Sequence, residues 1–190
     1  MKLLALHTCC APCLMGVYDV LAEEAERVAV IFYNPNIEPM DEYLKRRDTC
    51  FDYAREKDID FIEIAPDNDW EQVDANDEQR CFSCYLLRLG RTAQWAASNS
   101  YDSFATTLSI SPWQNLEAIN RAGTHIAQSY PDVSFAQYDF RNYYREAQNK
   151  ARDLGIYRQN YCGCLRGRAE VQEQRKRCKK ASASRNSDTK

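Results

Sequence analysis

His7-Thr8-Cys9-Cys10-Ala11-Pro12-Cys13 is the stretch on which the reading of this chain turns. It follows the apolar run Leu3, Leu4, Ala5 and Leu6, which suits a buried strand. It precedes Leu14, Val17, Tyr18 and Leu21, whose three- and four-residue spacing suits the inner face of a helix. Three thiols therefore stand where a strand turns into a helix. At such a place the free backbone N–H groups and the positive dipole end favour thiolate over thiol, and thiolate is the form that binds metal or attacks. A single cysteine there would most simply be a core residue. Three within five positions, with six more elsewhere in the chain, point to chemistry.

Further along, Val28 to Tyr33 is nearly all apolar, as in a strand covered on both faces, and Asn34-Pro35-Asn36 ends it. Residues 41–57 carry Tyr43, Leu44, Arg47, Cys50, Phe51 and Ala54 at helical spacing, which assigns Cys50 to the core with no chemical role. Ile59 to Ile64 reads as a third strand, and Pro66-Asp67-Asn68-Asp69 as a loop into a short helix around Trp70 to Val73. A helix is predicted from Arg80 through Ala97, then a strand over Ser103 to Leu108 and a helix over Asn115 to Ser129. A weak strand, Val133 to Ala136, precedes a helix over Tyr144 to Leu154 that Gly155 stops.

No internal repeat is present. This alternation predicts an α/β fold: a Rossmann-like (HUP-like), mostly parallel sheet of about five strands flanked by helices. Sites in such sheets lie beyond the carboxyl ends of the strands, so the loops at 9–13, 34–39 and 109–114 should border one crevice. Residues 1–168 are expected to form a single metal-binding catalytic domain, and residues 169–190 a basic tail that frays beyond about Gln174 into disorder.

A chain of 190 residues is long enough to bury about 70% of its extended surface without a staple. The N-terminal apolar run is too short for a signal peptide, and no stretch approaches the roughly 18 apolar residues of a membrane span. A cytoplasmic location is expected, with no membrane partner. In a reducing compartment nine cysteines read as metal or redox chemistry, not as a disulfide framework. The net charge of −3 conceals an asymmetry of +6 over residues 166–190 and −9 over the remainder. A basic tail on an acidic body suits contact with nucleic acid phosphates, or simply a solvated terminus.

Six cysteines form three close pairs: Cys9 with Cys10, Cys81 with Cys84, and Cys162 with Cys164. Four thiolates from two distant segments can close around zinc or an iron–sulfur cluster, and the first two pairs are the chosen ligands. Cys10 and Cys81 are too far apart in sequence for a zinc ribbon, which does not exclude zinc. Cys162-Gly163-Cys164 differs in kind: a disulfide between cysteines flanking one glycine closes a small ring, is strained and easily reduced, and suits an electron relay, although a further pair of metal ligands is an alternative.

Cys10-Ala11-Pro12-Cys13 is also a CxxC after a strand, but the length, the further paired cysteines and the lack of a preceding tryptophan argue against a thioredoxin-like protein. Cys13 either supports the site or packs in the first helical turn; Cys178, in the tail, is an incidental exposed thiol. His7, at the end of the first strand, either orients a cysteine or ligand or sits as a satisfied core residue, and His125 lies on the surface. Asp139, after the weak fifth strand, is the carboxylate chosen to bind a second metal or move a proton.

Taken together, HTCCAPC at 7–13, NPNIEPMDEYLKR at 34–46, RCFSCYLLRL at 80–89, TTLSISPWQN at 106–115, YDFR at 138–141 and YRQNYCGC at 157–164 resemble the cobalamin-independent epoxyqueuosine reductase family, QueH. The resemblance runs in order from about residue 3 to 168. One departure is Asp77-Glu78-Gln79, where a glycine-containing turn is expected. The resemblance implies reduction of the epoxide of epoxyqueuosine in a tRNA anticodon, the last step to queuosine. It implies a [4Fe-4S] cluster on Cys9, Cys10, Cys81 and Cys84, a nearby mononuclear iron to which Asp139 is assigned, no cobalamin, and Cys162 with Cys164 as the redox-active pair.

Removing an epoxide oxygen as water takes two electrons and two protons, and the C–O bond breaks more readily when a Lewis acid holds its oxygen. Iron is expected to bind that oxygen, the cluster and the Cys162/Cys164 pair to deliver electrons, and Asp139 or an ordered water to deliver a proton. The implied partners are tRNA carrying epoxyqueuosine and an electron donor: ferredoxin, flavodoxin or a dithiol protein. The modified base must leave the anticodon stack, and Tyr33, Trp113, Tyr143 and Tyr144 are aromatic candidates for receiving nucleotides.

Two other readings compete. A tRNA sulfur-inserting protein of the ATP-pyrophosphatase type shares the layout, but needs a glycine-rich phosphate loop where this chain has CCAPC. A zinc-binding or thiol redox-sensing module could hold RNA through the basic tail.

Overall fold

In a computed structural model of the chain, which describes residues 3–73 and 79–187 with side chains to residue 178, five strands form one parallel sheet. They are β1 (Leu3–His7), β2 (Arg27–Phe32), β3 (Asp60–Glu63), β4 (Ser103–Thr106) and β5 (Ser134–Phe135), in the order β3-β2-β1-β4-β5. The predicted α/β layout with about five strands is what the chain adopts, and every strand pair is parallel.

Six helices connect and cover the sheet: α1 (Ala11–Glu24), α2 (Met40–Glu56), α3 (Arg80–Ser98), α4 (Leu116–Ala127), α5 (Tyr144–Asp153) and α6 (Leu165–Ser187). Helix α1 packs on α2 and α5, and α3 packs on α4 and against β1 and β4. Both faces of the central strands are therefore dry. That is why Leu4, Leu6, Val30, Ile31, Phe32 and Phe104 are all buried although neighbours along a strand point to opposite faces.

The strand order reverses between β1 and β4, which makes the carboxyl ends of these two strands the switch point where such sheets bind ligands. His7 and Thr106 are register partners there, and His7 Nδ1 lies 2.8 Å from Thr106 Oγ1.

Three local outcomes differ from the sequence expectations. β4 stops at Thr106, two residues early, because Thr106 Oγ1 accepts the Leu108 N–H at 3.1 Å and folds residues 107–110 into a 3₁₀ turn. The short helix near Trp70 is a 3₁₀ turn over Asn68–Gln72, capped by Asp67. The helix α6 runs over the segment that composition reads as a frayed tail. Its first turns are held by Arg166–Glu170 and Glu173–Arg177 pairs, and by Arg80 of α3 donating to both Glu170 oxygens at 2.9 and 2.8 Å. Of the departure at 77–79, Asp77 and Glu78 lie outside the described residues.

Candidate metal centre and thiol relay

The strand β1 ends on a ladder bond from Thr8 N–H to Ile31 O, and the chain then turns into α1 with Cys10 at the N-cap and Pro12 in the first helical positions, where a missing N–H costs nothing. The turn gathers Cys9, Cys10 and Cys13, all buried, with their three sulfurs within 4.8 Å of one another. Hydrogen bonds from Cys10 and Cys13 hold the Cys9 thiol well below its ordinary range, with the Arg88 charge adding to the effect. Burial pushes Cys10 up, and Cys13 rises chiefly through its hydrogen bonds to Cys10 and Cys9. Cys13 belongs to the sulfur group, which its sequence position left open.

Across the switch point, α3 supplies Cys81, Cys84 and Arg88 at i, i+3 and i+7, one helical face. Arg88 is only 2% exposed. Its Nη1 donates to Cys84 Sγ at 3.7 Å, its Nη2 to Asn34 Oδ1 at 2.7 Å, and its Nε to His7 Nε2 at 3.3 Å. Asn34 in turn donates to Thr8 O at 2.8 Å, so one guanidinium ties together the ends of β1 and β2 and the helix α3. Because His7 Nε2 accepts from Arg88, Nδ1 carries the imidazole proton and donates to Thr106. Burial, and then the Arg88 charge, lower the His7 pKa to about 3, so this histidine is neutral and acts as a spacer between Arg88 and β4.

The third pair sits on the loop into α6. Cys162 is exposed and Cys164 buried, with their sulfurs 3.6 Å apart. The Cys162 thiol, the Gly167 N–H at 3.3 Å and the nearby Arg80 together draw the Cys164 pKa down to about 6, while the hydrogen bond to Cys164 raises that of Cys162. Gly163 has φ +137°, and a Cβ there would lie 2.9 Å from Asn36 Nδ2 and from Ile37 Cγ1, so only glycine suits the position. Its carbonyl accepts the Glu38 N–H at 3.0 Å. Arg46, 1% exposed and paired with Glu42 at 2.6 Å, donates to the carbonyls of Tyr161 and Cys162, both at 3.2 Å. The β2–α2 connection thereby clamps the Cys-Gly-Cys loop, and Gln159 Nε2 reaches Cys10 Sγ at 2.7 Å.

Among the described residues the potential metal-ligating group with sulfurs within 4.8 Å of one another is Cys9, Cys10 and Cys13; on α3, Cys84 is buried against Arg88 while Cys81 is exposed. Desolvation raises the thiols of both Cys81 and Cys84, with the Arg88 charge opposing the rise at Cys84, and Cys164 bears on both. Asp139 does not join them. It is half-exposed, its carboxylate holds Arg141 at 2.8 and 2.6 Å, and that pairing lowers its pKa to about 2. Tyr33 is buried, with its hydroxyl on Asp67 at 2.7 Å, so it is not available for stacking. Cys50 is fully buried, and His125 and Cys178 are exposed, as expected. Arg88, Arg46, Asn34 and Gln159 escaped the sequence reading. Each stands inside one of the motifs that carry the family resemblance, and Arg88 also continues the cysteine face of α3 by its i+4 spacing from Cys84.

The donor set fits an iron–sulfur centre. Among the described residues no hydrogen-bond partner of Arg88 is a carboxylate, and a buried guanidinium without a counter-charge is costly. Cysteine thiolates ligating such a centre would supply that charge.

Comparison with known proteins places these features in a series. The model of a family described as "Epoxyqueuosine reductase QueH" matches residues 4–170. Proteins of that name are similar to this chain. The one from Acinetobacter baylyi is 35% identical over 85% of this chain and 78% of its own. Those from Dehalococcoides mccartyi (34%; 85% and 90%) and Thermotoga maritima (36%; 84% and 87%) match comparably. Among solved structures, the U34-tRNA thiolase NcsA from Methanococcus maripaludis with its [4Fe-4S] cluster superimposes with a TM-score of 0.56 over 95% of this chain and 67% of its own, at 15% identity, a likeness of fold.

Proposed function

The chain belongs to the QueH family of epoxyqueuosine reductases, and from that membership we propose that it reduces the epoxide of epoxyqueuosine in tRNA to the alkene of queuosine. What supports the reading is the family match over residues 4–170 together with the gathering of Cys9, Cys10 and Cys13 at the carboxyl end of β1, where buried Arg88 bonds both His7 and Cys84 of α3. The zinc or redox-sensing module is not favoured, since the family match spans the whole sheet and every pair.

Cys9, Cys10, Cys81 and Cys84 would hold a [4Fe-4S] cluster, with Cys13 packed against the first two. When bound, that centre and an adjacent iron supply electrons and a Lewis acid for the epoxide oxygen, without cobalamin. The Arg88 charge favours thiolate at Cys9 and opposes the rise that burial imposes on Cys84, and its hydrogen bonds tie the ends of β1 and β2 to α3, the helix that carries Cys84. For Asp139 to act as an iron ligand or proton donor, its carboxylate must exchange Arg141 for the site.

The overall reaction takes two electrons and two protons and releases the epoxide oxygen as water, with both C–O bonds broken and a C=C bond formed. Oxidation of the Cys162/Cys164 dithiol to a disulfide yields two electrons and two protons, the same stoichiometry. A ferredoxin, flavodoxin or dithiol protein then restores the pair.

Reconstituted protein should be brown, contain iron and sulfide, and remove one oxygen from epoxyqueuosine-containing tRNA in the presence of a strong reductant, read by nucleoside mass spectrometry. Absence of that loss would falsify the proposed activity. No described helix is long and apolar enough to cross a membrane.

A further inference from the structure

Trp113 is 74% exposed, the most exposed large apolar side chain among the described residues. It stands on the turn that follows β4, at the carboxyl end of the sheet where the cysteines gather. Its ring meets Tyr144 edge to face, with centroids 5.2 Å apart and planes at 78°. Whichever ring offers its edge, at least one face of the indole remains clear of Tyr144.

That turn touches both halves of the metal centre. Through Trp113 it leans on Tyr144, whose phenol feels Cys13, Cys10 and Arg158. Through Gln114 it receives the Tyr85 hydroxyl at 2.6 Å, and Tyr85 feels Cys81 and Cys84. The turn is also stiff. Ser111 Oγ accepts the Trp113 N–H at 3.4 Å, Ser111 O accepts the Gln114 N–H at 3.2 Å, and Asn115 Oδ1 caps α4 at Ala118 N at 3.0 Å. An exposed indole costs solvation free energy, yet here it is held rigidly at the rim of a site.

Arg158, bonded to Gln148 O on the helix that Tyr144 begins, bears electrostatically on Tyr144, and Arg121 sits 4.4 Å over the ring of Phe82, the sequence neighbour of Cys81. The rim therefore pairs an open aromatic face with cations, the combination that receives single-stranded nucleic acid: bases stack on the ring while the guanidinium groups meet phosphates.

We propose that Trp113 is a stacking platform for a nucleobase of the anticodon loop next to the modified nucleotide, holding the loop splayed while its neighbour enters the cysteine crevice. The proposal rests on the tRNA substrate argued above. Tyr33 is excluded from this role by burial, and Tyr144 serves as the buttress.

The test is a binding cycle on the full-length, iron-loaded protein without reductant. Wild type, Trp113→Ala and Trp113→Phe are titrated with a fluorescent anticodon stem-loop RNA, and with two versions in which either nucleotide flanking the modified position is abasic. Trp113→Ala should weaken binding of the intact RNA about tenfold, and Trp113→Phe, which keeps a ring face, should stay within about threefold of wild type. One abasic RNA should bind wild type about tenfold more weakly and lose nothing more in Trp113→Ala. Binding by Trp113→Ala within twofold of wild type, Trp113→Phe as weak as Trp113→Ala, or fully additive losses for both abasic RNAs would overturn it. No turnover is needed, so wild type that binds RNA but leaves the epoxide intact fails the proposed activity alone, and tight binding indifferent to residue 113 fails only this inference.

Discussion

Arg88 is buried with the His7 imidazole, the Asn34 amide and the Cys84 thiol as its hydrogen-bond partners, and among the described residues none of those partners is a carboxylate that balances its charge. Replacing it with methionine, similar in length and apolar, removes the charge with little change in packing. Arg88→Met should therefore fold, with a far-ultraviolet spectrum like that of wild type. After anaerobic reconstitution it should carry less than about half the wild-type iron and sulfide, because thiolates at Cys9 and Cys84 lose their stabilising cation. Equal metal content in the two proteins would show that the guanidinium is not required for loading. The periodicity of α3 places Arg88 on the cysteine face, but its partners Asn34 and His7 are 54 and 81 residues away, and no local pattern connects them.

At the scale of elements, the Cys-Gly-Cys loop is kept in place by α2 and the connection before it, not by its own backbone. Arg46 donates to two of its carbonyls, Glu38 bonds to Gly163, and the Tyr161 hydroxyl returns to Glu38 O at 2.6 Å. Arg46→Met leaves two carbonyls without their donor and should lower the unfolding free energy by about 2 kcal/mol. Amide exchange should quicken at Glu38 and over residues 161–164 while β1 and β2 keep their protection; unchanged exchange there would mean that the loop holds itself. The strands and helices were legible in hydrophobic period almost throughout. Their ends were not, because side-chain bonds decide them, as when Thr106 curls the chain after β4. α6 similarly owes its first turns to Glu170 meeting Arg80 of another helix.

For the whole molecule, the proposed ligation by the β1–α1 turn and by α3 would make a bound centre cross-link segments some 70 residues apart, adding its binding free energy to folding. Stripping the iron with a chelator should lower Tm by several degrees. Cys84→Ala, purified in the same way, should already melt near the stripped value and respond little to chelator. A Tm indifferent to iron would indicate that the metal does not bridge the two segments. Alternating apolar runs of strand and helix length determined, from sequence alone, a parallel α/β sheet with its site beyond β1, β2 and β4, because burying each run requires covering both faces of the sheet. The cysteine pairs and their order determined the family and the class of chemistry. Tertiary structure alone decided that Cys13 joins Cys9 and Cys10, that Arg88 balances them, that Arg46 clamps the relay loop, and that Asp139 is spent on Arg141. The Arg88 and Arg46 contacts depend on distances between residues remote in the chain, and the Cys13 and Asp139 outcomes on local side-chain placement; period and composition encode neither.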